Sequence, residues 1–209
     1  VPLALAVGAG HGALAFVLTS PRVDFDRRLL RTRDLFVLIA GAALVSAVVA
    51  AVYVTVLAAA GLIARSDITE AAGRLWVGDM IGIAITTPFL LTIAARTRAA
   101  YLDMETALQV AAILTSTAVV ATLLPLTENE IFHLLFLPVV WVAVRHGLDG
   151  AAAALMLVQC CLMVGMGTMA IAEVDLTTQQ VLMLVLAVSG LAIGMAVTER
   201  QRAERALRL

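Results

Sequence analysis

An acidic residue, Asp79, stands within an otherwise apolar stretch, residues 75–91. A charged group at membrane depth costs about 2.5–3.5 kcal/mol on insertion scales, so it normally faces protein or a water-filled cavity. On a helix, the residues that share its face are Trp76, Gly82 and Thr86. Asp79, Trp76 and Thr86 together form the first candidate site for ligand binding or signal coupling. The carboxylate is a candidate anchor for a ligand, a cation or a proton. It is equally a candidate for a structural hydrogen-bond hub that joins helices.

Two pairs of glycines have the G-x-x-x-G spacing that favours close packing of membrane helices. Gly78 and Gly82 flank Asp79, where they would let a neighbouring backbone approach the carboxylate. Gly190 and Gly194 lie in the last apolar segment, where packing within the bundle and packing across a dimer are both open. We therefore assign a helix-packing role to all four glycines.

Arg145 is the second candidate for signal coupling. It ends a short apolar segment, and Gly147 just after it suits a left-handed helix C-cap. An arginine near a helix C-terminus complements the helix dipole, and its side chain can reach lipid phosphates. The alternative is a contact that couples the membrane core to an output helix.

The histidines, the sulfur-bearing residues and the serines are not spaced as in a known metal or catalytic site. His11 and His133 lack the spacing of a haem or metal pair. Met156, Cys160 and Met163 share one helix face and would suit Cu(I), but they are also ordinary packing residues. The sequence contains neither H-E-x-x-H nor G-x-S-x-G. We predict no catalytic residue, no metal site and no cofactor in this segment.

The composition defines the kind of element that must hold these residues. Of 209 residues, 62% are hydrophobic and 14% are charged, with a mean hydropathy of +1.03. A soluble domain is about half apolar and about a quarter charged. The composition therefore predicts an integral membrane protein with little room for a soluble domain. The net charge of −1 gives no sign of nucleic-acid binding, and the adjacent Cys160 and Cys161 indicate no disulfide framework.

Apolar runs predict an all-α transmembrane bundle, since crossing a bilayer takes about 20 residues. We expect seven helices, near residues 2–20, 35–61, 75–95, 106–125, 131–146, 150–172 and 178–198. Arginines are concentrated in every second connection and in the C-terminal tail, whereas the other connections are acidic or mixed. The positive-inside rule places the arginine-rich connections in the cytoplasm. The segment then begins outside the membrane and ends inside the cell.

The two ends of the chain suggest a larger protein. The sequence opens at Val1 inside an apolar run, so we expect further residues upstream. The last helix is expected to continue beyond the membrane, since residues 199–209 contain strong helix formers and a Glu204–Arg208 pair at i, i+4. We therefore divide the chain into a membrane domain, residues 1–198, and the start of a cytoplasmic signalling helix that leads to an output domain.

Three segments resemble the MASE1 domain, a bacterial integral-membrane sensory module. Residues 76–82, with Pro88 in the same helix, are similar to its W-x-x-D-x-x-G…P signature. Residues 137–147 resemble its L-P…W-x-A-x-R-x-G segment, although His146 stands where an apolar or aromatic residue is expected. The final helix and residues 199–207 are similar to the family's exit into a signalling helix.

The resemblance implies about eight transmembrane helices in the intact domain, at the bacterial inner membrane. It implies a sensory input domain placed before a histidine kinase of a two-component system or, as the alternative, a diguanylate cyclase or phosphodiesterase. ATP and Mg would belong to the kinase domain. The expected partners are the lipid bilayer, a second copy in a homodimer and a separate membrane protein where signalling requires one. The resemblance implies no particular ligand, so Asp79 and Arg145 transfer only as motif positions.

A small ion- or proton-coupled transporter that uses Asp79 is the alternative from another functional class. Transporters are typically built from inverted repeats with paired broken helices near the membrane midplane. This sequence shows no convincing repeat. The sequence therefore favours the sensor.

Overall fold

The computed structural model describes residues 2–27, 29, 31–95, 103–123, 130–168 and 176–208. Every regular element in these ranges is a helix, which confirms the all-α class for this part of the chain. The α-helices are α1 (Pro2–Thr19), α2 (Thr32–Ala59), α3 (Ile68–Ala95), α4 (Met104–Leu123), α5 (Phe136–Thr168) and α6 (Leu176–Ala206). Short 3-10 helices, Arg65–Asp67 and Glu130–Leu135, precede α3 and α5.

Five of these helices, α2 to α6, are long and apolar enough to cross a membrane over their described residues. The apolar part of α1 is shorter and covers Val7–Thr19. The chain is therefore a multi-pass helical membrane protein. The last helix continues well past its apolar part to Ala206, as the predicted charged extension requires.

The predicted fifth and sixth helices form one element, α5, which is broken at Gly147. Gly147 has φ 68° and ψ −150°, a backbone region that is essentially restricted to glycine. The break is sharp, because a Cβ added at Gly150 would lie 3.1 Å from the carbonyl oxygen of Val142, in the preceding arm. Positive φ at Gly147 agrees with the predicted helix end, but the ψ value shows a different conformation from the expected left-handed cap.

The predicted third helix begins earlier than expected, at Ile68 instead of residue 75. The added residues include the charged Glu70 and Arg74, which form an ion pair of 2.6 Å one turn apart at the end of the helix. Apolar character marks only the part of a helix that lies in lipid, so it underestimates helices that extend into water.

Two hydrophobic clusters hold the bundle together, and α3 contributes to both. The larger cluster joins α2 to α6 and includes Leu35, Ile85, Leu155 and Leu191. The smaller cluster joins α1, α2 and α3 through Leu14, Leu38, Ala42 and Ile83. Helix α3 thus lies between the α1–α2 pair and the α5–α6 pair.

Hydrogen bonds identify the two ends of the bundle. At one end, which we call the arginine-rich end, α2 begins beside the C-terminal part of α6, and the Thr32 amide donates to Glu199 at 2.7 Å. At the opposite end, α3 and α6 both begin, and the Arg74 side chain donates to the Thr177 hydroxyl at 3.1 Å.

Candidate functional site

Asp79, on α3, pairs with His11, on α1. The Nε2 of His11 lies 3.1 Å from Oδ1 of Asp79, and its Nδ1 lies 2.7 Å from the carbonyl oxygen of Val7. A carbonyl only accepts hydrogen bonds, so Nδ1 carries a proton. The contact with Asp79 is then either imidazolium with carboxylate or neutral imidazole with a protonated carboxyl. Both forms are neutral as a pair, which lowers the cost of placing Asp79 within the bundle.

The second carboxyl oxygen of Asp79 remains available to accept a hydrogen bond. Oδ2 is buried and has no hydrogen-bond partner among the described residues. The side chain as a whole is 25% exposed and that of His11 is 35% exposed, so the pair is only partly enclosed by the described helices. The sequence separation of 68 residues explains why the pairing was not predicted. The only sequence signal was one ionisable side chain in each of two apolar helices.

Trp76 and Thr86, which the sequence places on the face of Asp79, have different surroundings. The indole Nε1 of Trp76 donates to the carbonyl oxygen of Ala43 on α2 at 2.9 Å, although the residue is 42% exposed. Thr86 is exposed, and Gly82 lies in open space, since a Cβ added there would meet no atom within 4 Å. The structure therefore brings Trp76 and Asp79 into interhelical contacts, whereas Thr86 and Gly82 lie outside them.

A cavity of about 200 Å³ lies between α3, the second arm of α5 and α6. Gly78 and Ile81 line it from α3, Gln159 and Leu162 from α5, and Gln179 and Gln180 from α6, together with Met163 and Met183. A Cβ at Gly78 would lie 3.2 Å from Nε2 of Gln180, so the glycine lets this amide approach α3. The three glutamines were not singled out from the sequence, although polar amides in apolar helices were a visible signal.

At the arginine-rich end, the tip of the first α5 arm is tied to α4. Arg145 forms a two-pronged ion pair with Glu105, with Nε–Oε1 and Nη2–Oε2 distances of 2.7 and 2.9 Å. His146 contacts the buried Gln109 through Nε2 and Oε1 at 2.8 Å. His146, which departs from the family pattern, thus has a hydrogen-bond partner on α4. Arg145 is paired with α4, and among the described residues its side chain makes no hydrogen bond or ion pair with α6.

Asp103 precedes α4 and caps its first turn. Its Oδ1 accepts the Thr106 amide at 2.8 Å, the usual interaction of an N-cap carboxylate. Hydrogen bonds from the Thr106 side chain and amide hold the pKa of Asp103 below its ordinary value. The carboxylate therefore stays ionised at neutral pH and favours the helix start that presents Glu105 to Arg145.

The break at Gly147 is held by α6. Leu148 begins the second arm of α5, and its amide donates to the hydroxyl of Thr198 at 2.9 Å. The same hydroxyl donates to the carbonyl oxygen of Gly194, also at 2.9 Å. Thr198 therefore caps the new helix start while remaining bonded within α6.

The glycines of α6 make this contact possible. A Cβ at Gly194 would lie 2.8 Å from that of Ala151 and 3.0 Å from the carbonyl oxygen of Gly147. A Cβ at Gly190 would lie 3.0 Å from a methyl group of Val139. Both glycines thus face α5 within the same chain, which is the intrachain alternative for their spacing.

Glu199 follows Thr198 and caps a second helix. Its carboxylate accepts the amide of Thr32, the first residue of α2, and no side chain of α2 caps this end. A negative group at a helix N-terminus also complements the helix dipole. Two consecutive residues of α6 therefore satisfy the first amides of two other helices at the arginine-rich end.

Two of the sulfur-bearing residues of α5 contact each other. The Sγ of Cys160 lies 3.8 Å from the Sδ of Met156, and Cys160 is exposed. No group of three or more His, Cys, Asp or Glu residues that could hold a metal ion lies within the described part of the chain.

These features define an integral-membrane helix bundle with polar sites inside it and a charged helical extension. The chain belongs to the MASE1 family, whose model matches residues 1–201. MASE1 is a membrane-associated sensory domain. Neither a curated protein nor a solved structure gives a significant match to the chain.

Proposed function

We propose that this domain detects a stimulus in the membrane or at its outer face and transmits it through α6 to a cytoplasmic output module. One observation carries the proposal. Helix α6 is a single helix that lines the membrane cavity at Gln179 and Gln180 and extends beyond the arginine-rich end to Ala206. A shift or rotation of α6 at the cavity would therefore move the charged extension.

The caps at Thr198 and Glu199 give such a shift two discrete outcomes. When α6 is seated as in this structure, it caps the second arm of α5 and the start of α2. Moving α6 along or around its axis would break these hydrogen bonds and expose two helix N-terminal amides. Bonded and unbonded arrangements of this kind form a two-state element that a stimulus can bias.

The positive-inside rule supports a cytoplasmic location for the arginine-rich end, where Arg31, Arg33, Arg145 and Arg200 lie. The output we propose is the histidine kinase of a two-component system, acting as a homodimer and using ATP and Mg in its own domain. A diguanylate cyclase driven by the same helix is the alternative. A histidine phosphoacceptor helix or a G-G-D-E-F motif beyond residue 209 would distinguish the two.

Helical insertions test the proposed transmission. One residue inserted after Arg202 lies beyond the caps and rotates the following chain by about 100°, whereas seven residues nearly restore the original face. We expect the single insertion to lock kinase output on or off and the seven-residue insertion to recover the stimulus response. Autophosphorylation of the full-length protein in membranes is the measurement.

The control is a measurement of expression and membrane insertion, which should be equal in both variants because the bundle is unchanged. A normal response in the single-insertion variant would show that the extension is a flexible tether. Direct helical coupling would then be wrong.

A further inference from the structure

The cavity between α3, α5 and α6 has walls of defined chemistry. Each helix contributes residues one turn apart, namely Gly78 and Ile81, Gln159 and Leu162, and Gln179 and Met183. None of the described residues that line it is charged. Ile81, Leu162 and Met183 are buried and apolar. The cavity therefore combines an apolar body with amide groups that both donate and accept hydrogen bonds.

Gln180 gives the cavity a hydrogen-bond acceptor. Its Oε1 is buried and has no hydrogen-bond partner among the described residues. Its Nε2 is directed toward Gly78, where an added Cβ would lie 3.2 Å from it in a tight contact. Leaving a buried amide oxygen unpaired is unfavourable, so a ligand that donates a hydrogen bond to it gains affinity.

We infer that this cavity binds a small, uncharged, lipid-soluble molecule with one hydrogen-bond donor, about the size of a phenol. Size supports this class, because an apolar cavity of about 150 Å³ accommodates benzene, and drug-sized ligands usually occupy about 300–1,000 Å³. Charge supports it as well, since none of the described lining residues offers an ion an opposite charge. The hydroxyl donates to Gln180, and the ring packs against Ile81, Leu162 and Met183.

Only the effect of the bound ligand on signalling rests on the proposed function. Gln179, Gln180 and Met183 belong to α6, so a ligand between them and α3 acts on the helix that we propose transmits the signal. Binding itself is a separate property and can be measured without any output module.

The test compares two probes that differ by one hydroxyl group, 4-methylphenol and toluene. Binding of each radiolabelled probe is measured on the full-length protein in lipid nanodiscs, with protein-free nanodiscs as the partition background. We expect saturable binding of 4-methylphenol about tenfold tighter than that of toluene, the usual effect of one hydrogen bond to a buried acceptor. Gln180→Met should lower the affinity for 4-methylphenol about tenfold and change that for toluene by less than about twofold.

Gln201→Met is the matched control, because it makes the same chemical change on α6 beyond the cavity. It should leave both affinities unchanged. Equal affinities for the two probes, or no effect of Gln180→Met, would show that a hydrogen bond to Gln180 does not contribute to binding and would overturn the inference. Absence of saturable binding would overturn it too. If Gln180→Met fails to insert, the comparison of probes on the unmodified chain decides alone.

The two proposals fail in different ways. Specific binding of 4-methylphenol without any effect on kinase output would leave the ligand class intact and count against the sensory role of the cavity. A phase-dependent response to the helical insertions without saturable binding would leave transmission through α6 intact and overturn the ligand class.

Discussion

At the scale of single residues, the contact between His11 and Asp79 explains how a carboxylate is accommodated in an apolar helix. The imidazole donates to Val7 through Nδ1, which leaves Nε2 to pair with Asp79. The pair is neutral in either form, and it ties α1 to α3. This geometry supports the hydrogen-bond hub among the readings of Asp79, while its second, unpaired oxygen leaves room for a ligand or a proton.

If Asp79 is a structural hydrogen-bond hub, its substitutions should lower the unfolding free energy in a defined order. Asp79→Asn keeps a neutral hydrogen bond to His11, so its unfolding free energy should fall by less than about 1 kcal/mol, whereas Asp79→Leu should lose about 1–3 kcal/mol. The double variant His11→Leu/Asp79→Leu should recover most of that loss, because both polar groups are removed together. Thermal unfolding in nanodiscs is the measurement.

Thr86→Val is the control for this series, since Thr86 is exposed on the same helix. The stimulus response of Asp79→Asn separates the remaining readings. Normal folding with a lost response would show that the charge or proton of Asp79 has a signalling role. Additive losses in the double variant would contradict the hub.

At the scale of the elements, glycines decide how α5 and α6 fit together. Gly147 needs a positive φ, and it lies against Thr198 on α6. Gly194 lies against the carbonyl oxygen of Gly147. The turn in α5 therefore packs directly against the surface of α6 at Gly194. The hydrogen bond from the Leu148 amide to Thr198 adds to this contact.

Substitution of these glycines should be costly for different reasons. Gly147→Ala introduces strain of about 1–3 kcal/mol at the positive φ and a clash with Thr198. Gly194→Ala forces α5 and α6 apart, which overpacks a buried contact and should cost about 1–3 kcal/mol. Gly82→Ala is the matched control, since its Cβ would meet no atom within 4 Å and alanine favours the helix. Thermal unfolding of the three variants checks this order, and a Gly82→Ala loss equal to that of Gly194→Ala would contradict it.

At the scale of the whole molecule, the last helix holds two other helices at the arginine-rich end. Glu199 accepts the first amide of α2, and Thr198 caps the second arm of α5 at the break. The first arm of α5 is tied at the same end to α4 through Arg145 and Glu105. Signals that reach this end from different helices would therefore converge on α6.

Membrane topology tests the orientation of this assembly. A reporter fused after Arg98 should be cytoplasmic and one inserted near Glu128 should be external, because arginine-rich connections stay inside. Alkaline phosphatase and green fluorescent protein fusions give opposite signals at each site and serve as mutual controls. The reverse pattern at both sites would overturn the orientation and with it the sensory proposal.

The amino-acid sequence by itself determined the class, the membrane location and most helix positions, because lipid demands long apolar helices wherever the chain crosses it. It also marked Asp79, Arg145 and Gly147 as special, since a charge or a glycine in an apolar run is visible without a structure. The role of Gly82 could not be read this way. Its spacing suggested packing, yet no neighbour approaches it within the described chain.

Only the tertiary structure decided which distant residues meet. The pairs His11–Asp79, Arg145–Glu105 and Thr32–Glu199 join residues that are 68, 40 and 167 positions apart. The cavity likewise collects glutamines from two helices against a glycine of a third. Periodicity shows which face of a helix is polar, but it carries no information on which other helix that face meets. That choice depends on the packing of all the helices together, which no local pattern records.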